Sequence, residues 1–227
     1  MGKYLQYKCV VFDIDNTLYD EKEYFEATFR KISNIISKKA NNKNAGEICS
    51  KILAEFRAHG SQYPKFFLHI AKLFNLNENF HETFYNIHKT VKANIILYPD
   101  AQMILDWSRK KELKLGLITN GAIAVQKNKI KLLKLKDLVN YICISRELGE
   151  EKPSIKPYQH VMKRLNTTPE NTLYIGDNPH NDFEGAKKLG IRTVRLKRGE
   201  FKNIKLNERF IDYNINNFDE LKVIIET

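Results

Sequence analysis

Two aspartates near the N-terminus, Asp13 and Asp15, are the residues best placed to do chemistry. They follow an apolar run at residues 7–12 that predicts a short buried strand. Residues two apart in extended backbone point to the same side, so both carboxylates should enter the crevice beyond the strand's carboxyl end, where open parallel sheets bind ligands. Like charges held together favour a shared cation or a proton on one of them. The pair predicts a hard-cation site or a nucleophile beside an acid, and an ordinary strand-end turn is the simpler alternative.

A second polar strand end follows the apolar segment 114–119 and contains Thr119, Asn120 and Gly121. A threonine hydroxyl and the backbone N–H groups of a glycine-containing turn suit the oxyanion of a phosphate. The same residues also suit a turn that starts a helix, so this segment gains its meaning only in combination with the others.

Two later segments add one cation and two more carboxylates. Lys152 precedes a proline that holds it in a defined loop, although a lysine taken alone is more typical of a solvated surface. The apolar strand predicted at 172–176 ends on a glycine, and Asp177 follows where a metal would need it. Asp182 suits either a supporting role at that site or the acidic first turn of a helix.

These four segments lie in a chain whose predicted strands and helices alternate, which indicates βαβ units and a mostly parallel sheet of the α/β class. Residues 19–94 interrupt the alternation with helical patterns and no strand signal. The predicted strands are 7–12, 114–119, 139–145, 172–176, 191–196 and 211–215. The predicted helices are 20–39, 47–58, 64–74, 79–91, 100–111, 122–133, 157–165, 181–189 and 218–225.

The composition of the 227-residue chain, 42% apolar and 29% charged, is typical of a soluble globular protein, and no apolar run approaches the roughly 20 residues of a membrane span. Three widely spaced cysteines and no signal-peptide pattern favour the reducing cytoplasm over a disulfide framework. The net charge of +11 is distributed over helical segments such as 127–136. A solvated lysine-rich face is the first interpretation, a field that attracts anionic substrates the second, and a nucleic-acid surface the third.

In this order the four segments resemble the motifs of the haloacid dehalogenase superfamily: D-x-D-x-T at 13–17, the strand end at Thr119, Lys152 with its proline, and G-D-x-x-x-N-D at 176–182. The resemblance covers nearly the whole chain, and the motifs are highly specific as a set. It implies a doubly wound Rossmann-like core from residues 1–18 and 96–227, with residues 19–95 as an inserted α-helical cap of the C1 type. The first two motifs look most like the phosphatase branch of the superfamily.

The resemblance also implies a role for each motif residue. Asp13 would attack phosphorus and form an aspartyl-phosphate. Asp15 would protonate the leaving oxygen and then take a proton from water, and nearby carboxylates would favour its protonated form. Mg²⁺ would be held by Asp13, the Asp15 backbone carbonyl and Asp177, with Asp182 in support. The transferring phosphoryl group would be bound by Thr119, Asn120 and Lys152.

The third motif has a competing register, because Lys156 is also followed by a proline. Lys152 is followed by Pro-Ser-Ile, where relatives usually carry Pro-Asp-Pro. The distance from Lys152 to the aromatic Tyr158 nevertheless favours Lys152.

The expected activity is Mg²⁺-dependent hydrolysis of a small phosphorylated metabolite, such as a nucleotide, a sugar phosphate or a phosphoglycolate-like compound. No nucleic-acid polymer and no membrane are expected as partners, and the oligomeric state stays open. Dehalogenases of the superfamily lack the second aspartate of the first motif, so Asp15 argues against dehalogenation. A phosphomutase of the same fold and a non-catalytic binding protein built on it are the alternatives.

Overall fold

A parallel β-sheet organises the larger part of the molecule. The computed structural model describes residues 7–40, 44–204 and 208–227. Within them the strands are β1 (Cys9–Phe12), β2 (Lys114–Thr119), β3 (Tyr141–Ile144), β4 (Thr172–Gly176), β5 (Arg192–Leu196) and β6 (Tyr213–Ile215). Their order across the sheet is β3-β2-β1-β4-β5-β6, and every neighbouring pair is parallel. This order is that of doubly wound Rossmann folds, so the predicted α/β class is confirmed.

Helices occupy most of the remaining described residues. They are α1 (Glu21–Lys39), α2 (Ala45–His59), α3 (Phe66–Leu73), α4 (Phe80–Thr90), α5 (Pro99–Lys110), α6 (Ile123–Leu132), α7 (Lys156–Leu165), α8 (Glu184–Lys188) and α9 (Phe218–Glu226). The strands β2 and β4 have their predicted bounds. The helix predicted from residue 181 begins only at Glu184, because the preceding backbone turns around Asp182, whose carboxylate accepts a hydrogen bond from the Asn178 N–H at 2.9 Å.

Alternate residues of β1 contribute to different layers of the core. Val11 packs in a cluster with Tyr158 and Val161 of α7, which also contacts α8. Phe12 meets the ring of Phe218 from α9 edge-on, with the ring centroids 5.7 Å apart. Because successive side chains of a strand point to opposite faces, helices cover the sheet on both sides and the strand is buried throughout.

The chain forms two compact units, Met1–Glu21 with Ile96–Thr227 and Lys22–Ile95. The first contains the sheet. The second contains the helical segments α2, α3 and α4 and most of α1, and its core is built from aromatic and aliphatic residues such as Phe29, Ile52 and Phe84. The assignment of this helical unit as a cap stays a prediction.

None of the helices in the described residues has the length and apolar composition needed to cross a membrane. Cys9 and Cys143 are buried in the core and unpaired.

Candidate active site

The carboxyl ends of three neighbouring strands bring the predicted motifs together. β1 lies between β2 and β4, so Asp13, Thr119 and Asp177 leave the sheet at adjacent positions of one edge. The strand order reverses between β1 and β4, and this switch point opens the crevice in which doubly wound sheets bind their ligands. Asp13 follows β1 and Asp177 follows β4, so these two carboxylates flank that crevice.

Lys152 is the cation at the centre of this arrangement. Its Nζ lies 2.6 Å from Asp13 Oδ1 and 2.6 Å from Asp182 Oδ1, and its side chain is only 2% exposed. It also donates to the Tyr174 hydroxyl at 2.9 Å and to the Ile118 carbonyl at 3.1 Å. Burial alone would lower the pKa of this ammonium, but the two carboxylates outweigh that effect and raise it, so Lys152 stays charged.

The competing lysine of the third motif lies elsewhere. The Lys156 side chain is 49% exposed and pairs with Glu150 at 3.3 Å. The structure therefore places Lys152, and not Lys156, beside Asp13. The aromatic residue used to choose this register, Tyr158, donates its hydroxyl to the Asp182 backbone carbonyl at 2.7 Å.

Asn120 fixes the loop that contains Lys152. Its Nδ2 donates to the Lys152 carbonyl at 2.9 Å, and its Oδ1 accepts from the Lys152 N–H at 3.0 Å and from the Ser145 hydroxyl at 2.6 Å. The Asn120 side chain is thus engaged by protein groups. Thr119 is buried, and its hydroxyl donates to the Asn120 carbonyl at 3.3 Å.

Asp13 is a buried carboxylate with a pKa raised to about 7. Burial is the main cause, Lys152 acts in the opposite direction, and the neighbouring Asp182 and Asp15 add to the rise. The Thr17 hydroxyl donates to Asp13 Oδ2 over a long 3.4 Å. Asp13 therefore combines weak hydrogen bonding at one oxygen with a single strong cationic partner at the other.

Three buried carboxylates, those of Asp13, Asp177 and Asp182, offer oxygen atoms within 4.8 Å of one another. Burial, followed by the charges of Asp13 and Asp182, raises the pKa of Asp177 well above its ordinary value. Asp177 Oδ2 is buried and has no hydrogen-bond partner among the described residues. Lys152 alone does not balance three carboxylates, and an all-oxygen donor set suits a hard divalent cation, so these residues fit Mg²⁺.

The two aspartates of the fourth motif differ in whether a carboxylate oxygen remains available to bind a ligand. Asp182 Oδ1 accepts from Lys152 and from the Tyr174 hydroxyl at 3.0 Å, and its Oδ2 accepts from the Asn178 N–H. Asp182 is therefore committed to protein groups, which agrees with a supporting role, whereas Asp177 keeps an oxygen for a ligand.

Gly176 makes this packing possible. A Cβ built at Gly176 would lie inside van der Waals contact distance of the Asp182 carboxylate. Any side chain at position 176 would therefore push Asp182 away from Lys152, so glycine is required here by close approach.

Asp15 lies in a separate set of interactions. Its Oδ1 accepts from the Tyr19 hydroxyl at 2.6 Å and from Lys129 Nζ at 2.7 Å, and its Oδ2 accepts from Gln126 Nε2 at 2.9 Å. Burial raises the pKa of Asp15, but Lys129 and these hydrogen bonds lower it by more, so the net shift of the pKa is downward. The expectation that nearby carboxylates favour protonated Asp15 was wrong, because Lys129, Tyr19 and Gln126 all hydrogen bond to its charged form.

Lys129 and Gln126 were missed by the sequence analysis. The segment 127–136 was interpreted as a solvated lysine-rich face, yet the Lys129 side chain is 2% exposed and also contacts Glu21 at 2.8 Å. Burial and the charge of Asp15 raise the pKa of Glu21 to about 7, against the opposing effect of Lys129. The available signal was the helical spacing that places Gln126 and Lys129 on the same face as the buried Val125 and Ile130.

The chain has relatives among known proteins. A model of the haloacid dehalogenase-like hydrolase family matches residues 10–196. A glyceraldehyde 3-phosphate phosphatase of Methanocaldococcus jannaschii is 30% identical over 225 residues, which cover 96% of this chain and 97% of the relative. The chain therefore belongs to the haloacid dehalogenase-like hydrolase family, and the prediction of an enzyme that hydrolyses phosphoric monoesters is confirmed by this membership together with relatives named as phosphatases.

Solved structures agree with the fold. The haloacid dehalogenase-like phosphatase of Thermococcus onnurineus superposes with a TM-score of 0.65 at 25% identity, covering 96% of this chain and 97% of that one. The hydrolase YfnB of Bacillus subtilis, solved bound to magnesium, has a TM-score of 0.71 at 19% identity and covers 98% and 100% of the two chains. The second likeness shows the fold alone.

Proposed function

We propose that this protein is a Mg²⁺-dependent phosphatase that hydrolyses a small phosphomonoester through an aspartyl-phosphate on Asp13. The observation that carries the proposal is the bridge from Lys152 to Asp13 and Asp182, beside an Asp177 oxygen that has no hydrogen-bond partner among the described residues. This arrangement combines a carboxylate nucleophile, a fixed cation and an open oxygen ligand in one buried crevice.

A three-carbon sugar phosphate is the substrate class we propose first. The support is the M. jannaschii relative, which is named as a glyceraldehyde 3-phosphate phosphatase and aligns over nearly the full length of both chains. We also propose that the unit Lys22–Ile95 is a cap of the C1 type that contributes specificity, because it is inserted between β1 and β2.

In the first step, an Asp13 carboxylate oxygen forms a bond to phosphorus while the bond from phosphorus to the ester oxygen breaks. The leaving oxygen needs a proton, which Asp15 would give. The hydrogen bonds around Asp15 favour its ionised form before the substrate binds. We infer that the negative charge of the bound phosphate raises the pKa of Asp15, so that this carboxylate takes up a proton on substrate binding.

In the second step, Asp15 accepts a proton from water as the water oxygen attacks phosphorus and releases Asp13. The hydrogen bonds from Tyr19, Gln126 and Lys129 orient the Asp15 carboxylate for this transfer. Lys152 stabilises the charge on the transferring group. Thr119 and Asn120 would complete the phosphate contacts from their loop, Asn120 through its backbone N–H because its side chain holds Lys152 and Ser145.

The residues that would hold Mg²⁺ are Asp13, Asp177 and the Asp15 backbone carbonyl, with Asp182 in support. When bound, the ion would neutralise the clustered carboxylates and polarise the phosphoryl oxygens. Asp182 and Lys152 would keep Asp13 and Asp177 oriented.

The decisive experiment measures phosphate release from a panel of sugar phosphates, nucleotides and phosphoglycolate, with Mg²⁺ and after chelation. The matched control is Asp13→Asn, purified identically, because an amide is a poor nucleophile and a poor metal ligand. We expect Mg²⁺-dependent release by the wild type and almost none by the variant. Equal release by both proteins would refute the nucleophile assignment, and an isomerised phosphate ester without free phosphate would identify a phosphomutase.

A further inference from the structure

The helical unit contains a second cluster of potential metal ligands, formed by Glu55, His59 and His69. The Glu55 Oε2 atom lies 2.7 Å from His69 Nε2 and 3.5 Å from His59 Nε2, and one ligand atom from each residue lies within 4.8 Å of the other two. All three residues belong to the unit Lys22–Ile95, whereas the carboxylates of the phosphatase site belong to the other unit.

Local structure brings the three side chains together from two successive helices. Glu55 and His59 are one turn apart near the end of α2, so they share a helix face. The chain reverses after Gly60, which has a φ of 79°, and α3 returns His69 to the same face. The Tyr63 ring stacks on His59 with centroids 4.3 Å apart and an interplanar angle of 18°, which restricts the imidazole's rotation.

The ligand types specify the class of ion. Two imidazole nitrogens and one carboxylate oxygen form a set found in zinc sites that keep one position open for water. Mg²⁺ and Ca²⁺ prefer oxygen ligands only, so they are poor candidates here. The three side chains are 27–35% exposed, which leaves access for an ion and a water molecule.

The distances from Glu55 to the two histidines require only a small rearrangement. Two ligands about 2.1 Å from a tetrahedral zinc ion lie about 3.4 Å apart. The separation of Glu55 Oε2 and His59 Nε2 already has this value within 0.1 Å. His69 would move back by less than about 1 Å, exchanging the hydrogen bond to Glu55 for a bond to the metal.

We propose that Glu55, His59 and His69 form a binding site for a borderline first-row divalent cation, with Zn²⁺ as the reference ion. Three protein ligands orient the ion and water completes the coordination. The site adds a metal preference to the helical unit that differs from the Mg²⁺ preference of the carboxylate cluster.

The test is Zn²⁺ binding by isothermal titration calorimetry in excess Mg²⁺, using full-length protein with Asp177→Asn to weaken the carboxylate site. We expect one equivalent of Zn²⁺ to bind, and we expect its affinity to fall at least tenfold when His69→Gln or Glu55→Gln is added. His81→Gln, which removes a half-buried histidine of the same unit, is the matched control and should leave binding unchanged.

A second measurement covers the case in which a variant fails to fold, which circular dichroism would reveal. Co²⁺ added to the Asp177→Asn protein should give the intense visible absorption of a low-coordinate site with nitrogen ligands, and Zn²⁺ should displace it. An octahedral spectrum, no uptake in excess Mg²⁺, or undiminished Zn²⁺ affinity in folded His69→Gln would overturn the proposal.

Discussion

Asn120 binds the backbone of Lys152 at both of its polar groups, donating to the carbonyl at 2.9 Å and accepting from the N–H at 3.0 Å. The two residues are 32 positions apart and follow different strands. This pair of hydrogen bonds couples the loop after β2 to the loop that delivers the ammonium to Asp13. The position of the cation is therefore set by an uncharged side chain in the preceding motif.

Asn120→Ala should impair catalysis through the misplacement of Lys152. Removing the amide leaves the Lys152 backbone groups without these partners, and a displacement of about 1 Å can cost about a hundredfold in rate. We expect kcat to fall by roughly that factor, with a smaller change in KM. Steady-state kinetics with a saturating phosphomonoester checks this, and Asn120→Asp, which keeps one acceptor for the Lys152 N–H, should lose less.

Lys152→Ala and Lys156→Ala should separate a buried cation from a surface one. Lys152 is the charge partner of Asp13, and removal of one stabilising group at a reaction centre typically costs about 10²–10³ in kcat. Lys156 forms an exposed ion pair with Glu150, which is worth about 0–1 kcal/mol, so its loss should be nearly silent. The reverse ranking of the two kcat values would show that the register of the third motif is wrong.

Lys129→Met should destabilise the protein by about 3–5 kcal/mol, because removing one partner of a buried ion pair leaves the other charge uncompensated. Lys127→Met is the matched control on the same helix: Lys127 is 63% exposed, and its pair with Glu147 should contribute about 0–1 kcal/mol. Urea denaturation of the two variants measures the difference. Equal midpoints would show that the contacts of Lys129 with Asp15 and Glu21 carry no stability.

Lys129→Met should also change the pH dependence of turnover. Lys129 lowers the pKa of Asp15, so the wild-type carboxylate stays ionised to a lower pH than an ordinary aspartate. Without the lysine the pKa rises, and the base needed in the second step is protonated at a higher pH. Where hydrolysis of the aspartyl-phosphate limits turnover, the acidic limb of the kcat profile should therefore move to higher pH in Lys129→Met, and a shift to lower pH would contradict the assignment.

Gly176→Ala should destabilise the fold and reduce activity together. The new methyl group would overlap the Asp182 carboxylate, and overpacking of a tight interior typically costs about 1–3 kcal/mol. Gly46→Ala, in the first turn of α2, is a useful control, since its Cβ would meet only the exposed Asn44 side chain, at 3.1 Å. Thermal unfolding and phosphatase assays of both variants check the prediction, and an unchanged melting temperature for Gly176→Ala would contradict it.

The strand ends could be predicted from the sequence because apolar runs, and the polar residues at which they end, are local signals. β2 and β4 were predicted with their observed bounds, and this placed Thr119 and Asp177 correctly at strand ends. The order of the strands was not local information, since it depends on which strand pairs with β1. Pattern alone could not have selected β2 and β4 as those partners.

The residues that surround Asp15 were harder to predict from the sequence, for a different reason. In a chain with 38 lysine and arginine residues, a lysine in a lysine-rich helix is ordinarily a surface residue. Lys129 is buried because its helix turns that side chain toward two carboxylates from another part of the chain. Likewise, the choice of Asn120 between a ligand and a backbone partner depends on side-chain orientation, which spacing does not reveal.

The central position of β1 has a consequence for biosynthesis. This strand is made early, but its register pairs Cys9 with Thr172, so one edge stays without its partner until β4 leaves the ribosome. An uncovered edge strand is a template for intermolecular pairing, and pairing between distant segments is slow. Nascent chains that stop before residue 172 should therefore be prone to aggregation and dependent on chaperones, and the same late event that closes the sheet also delivers Asp177 to Asp13.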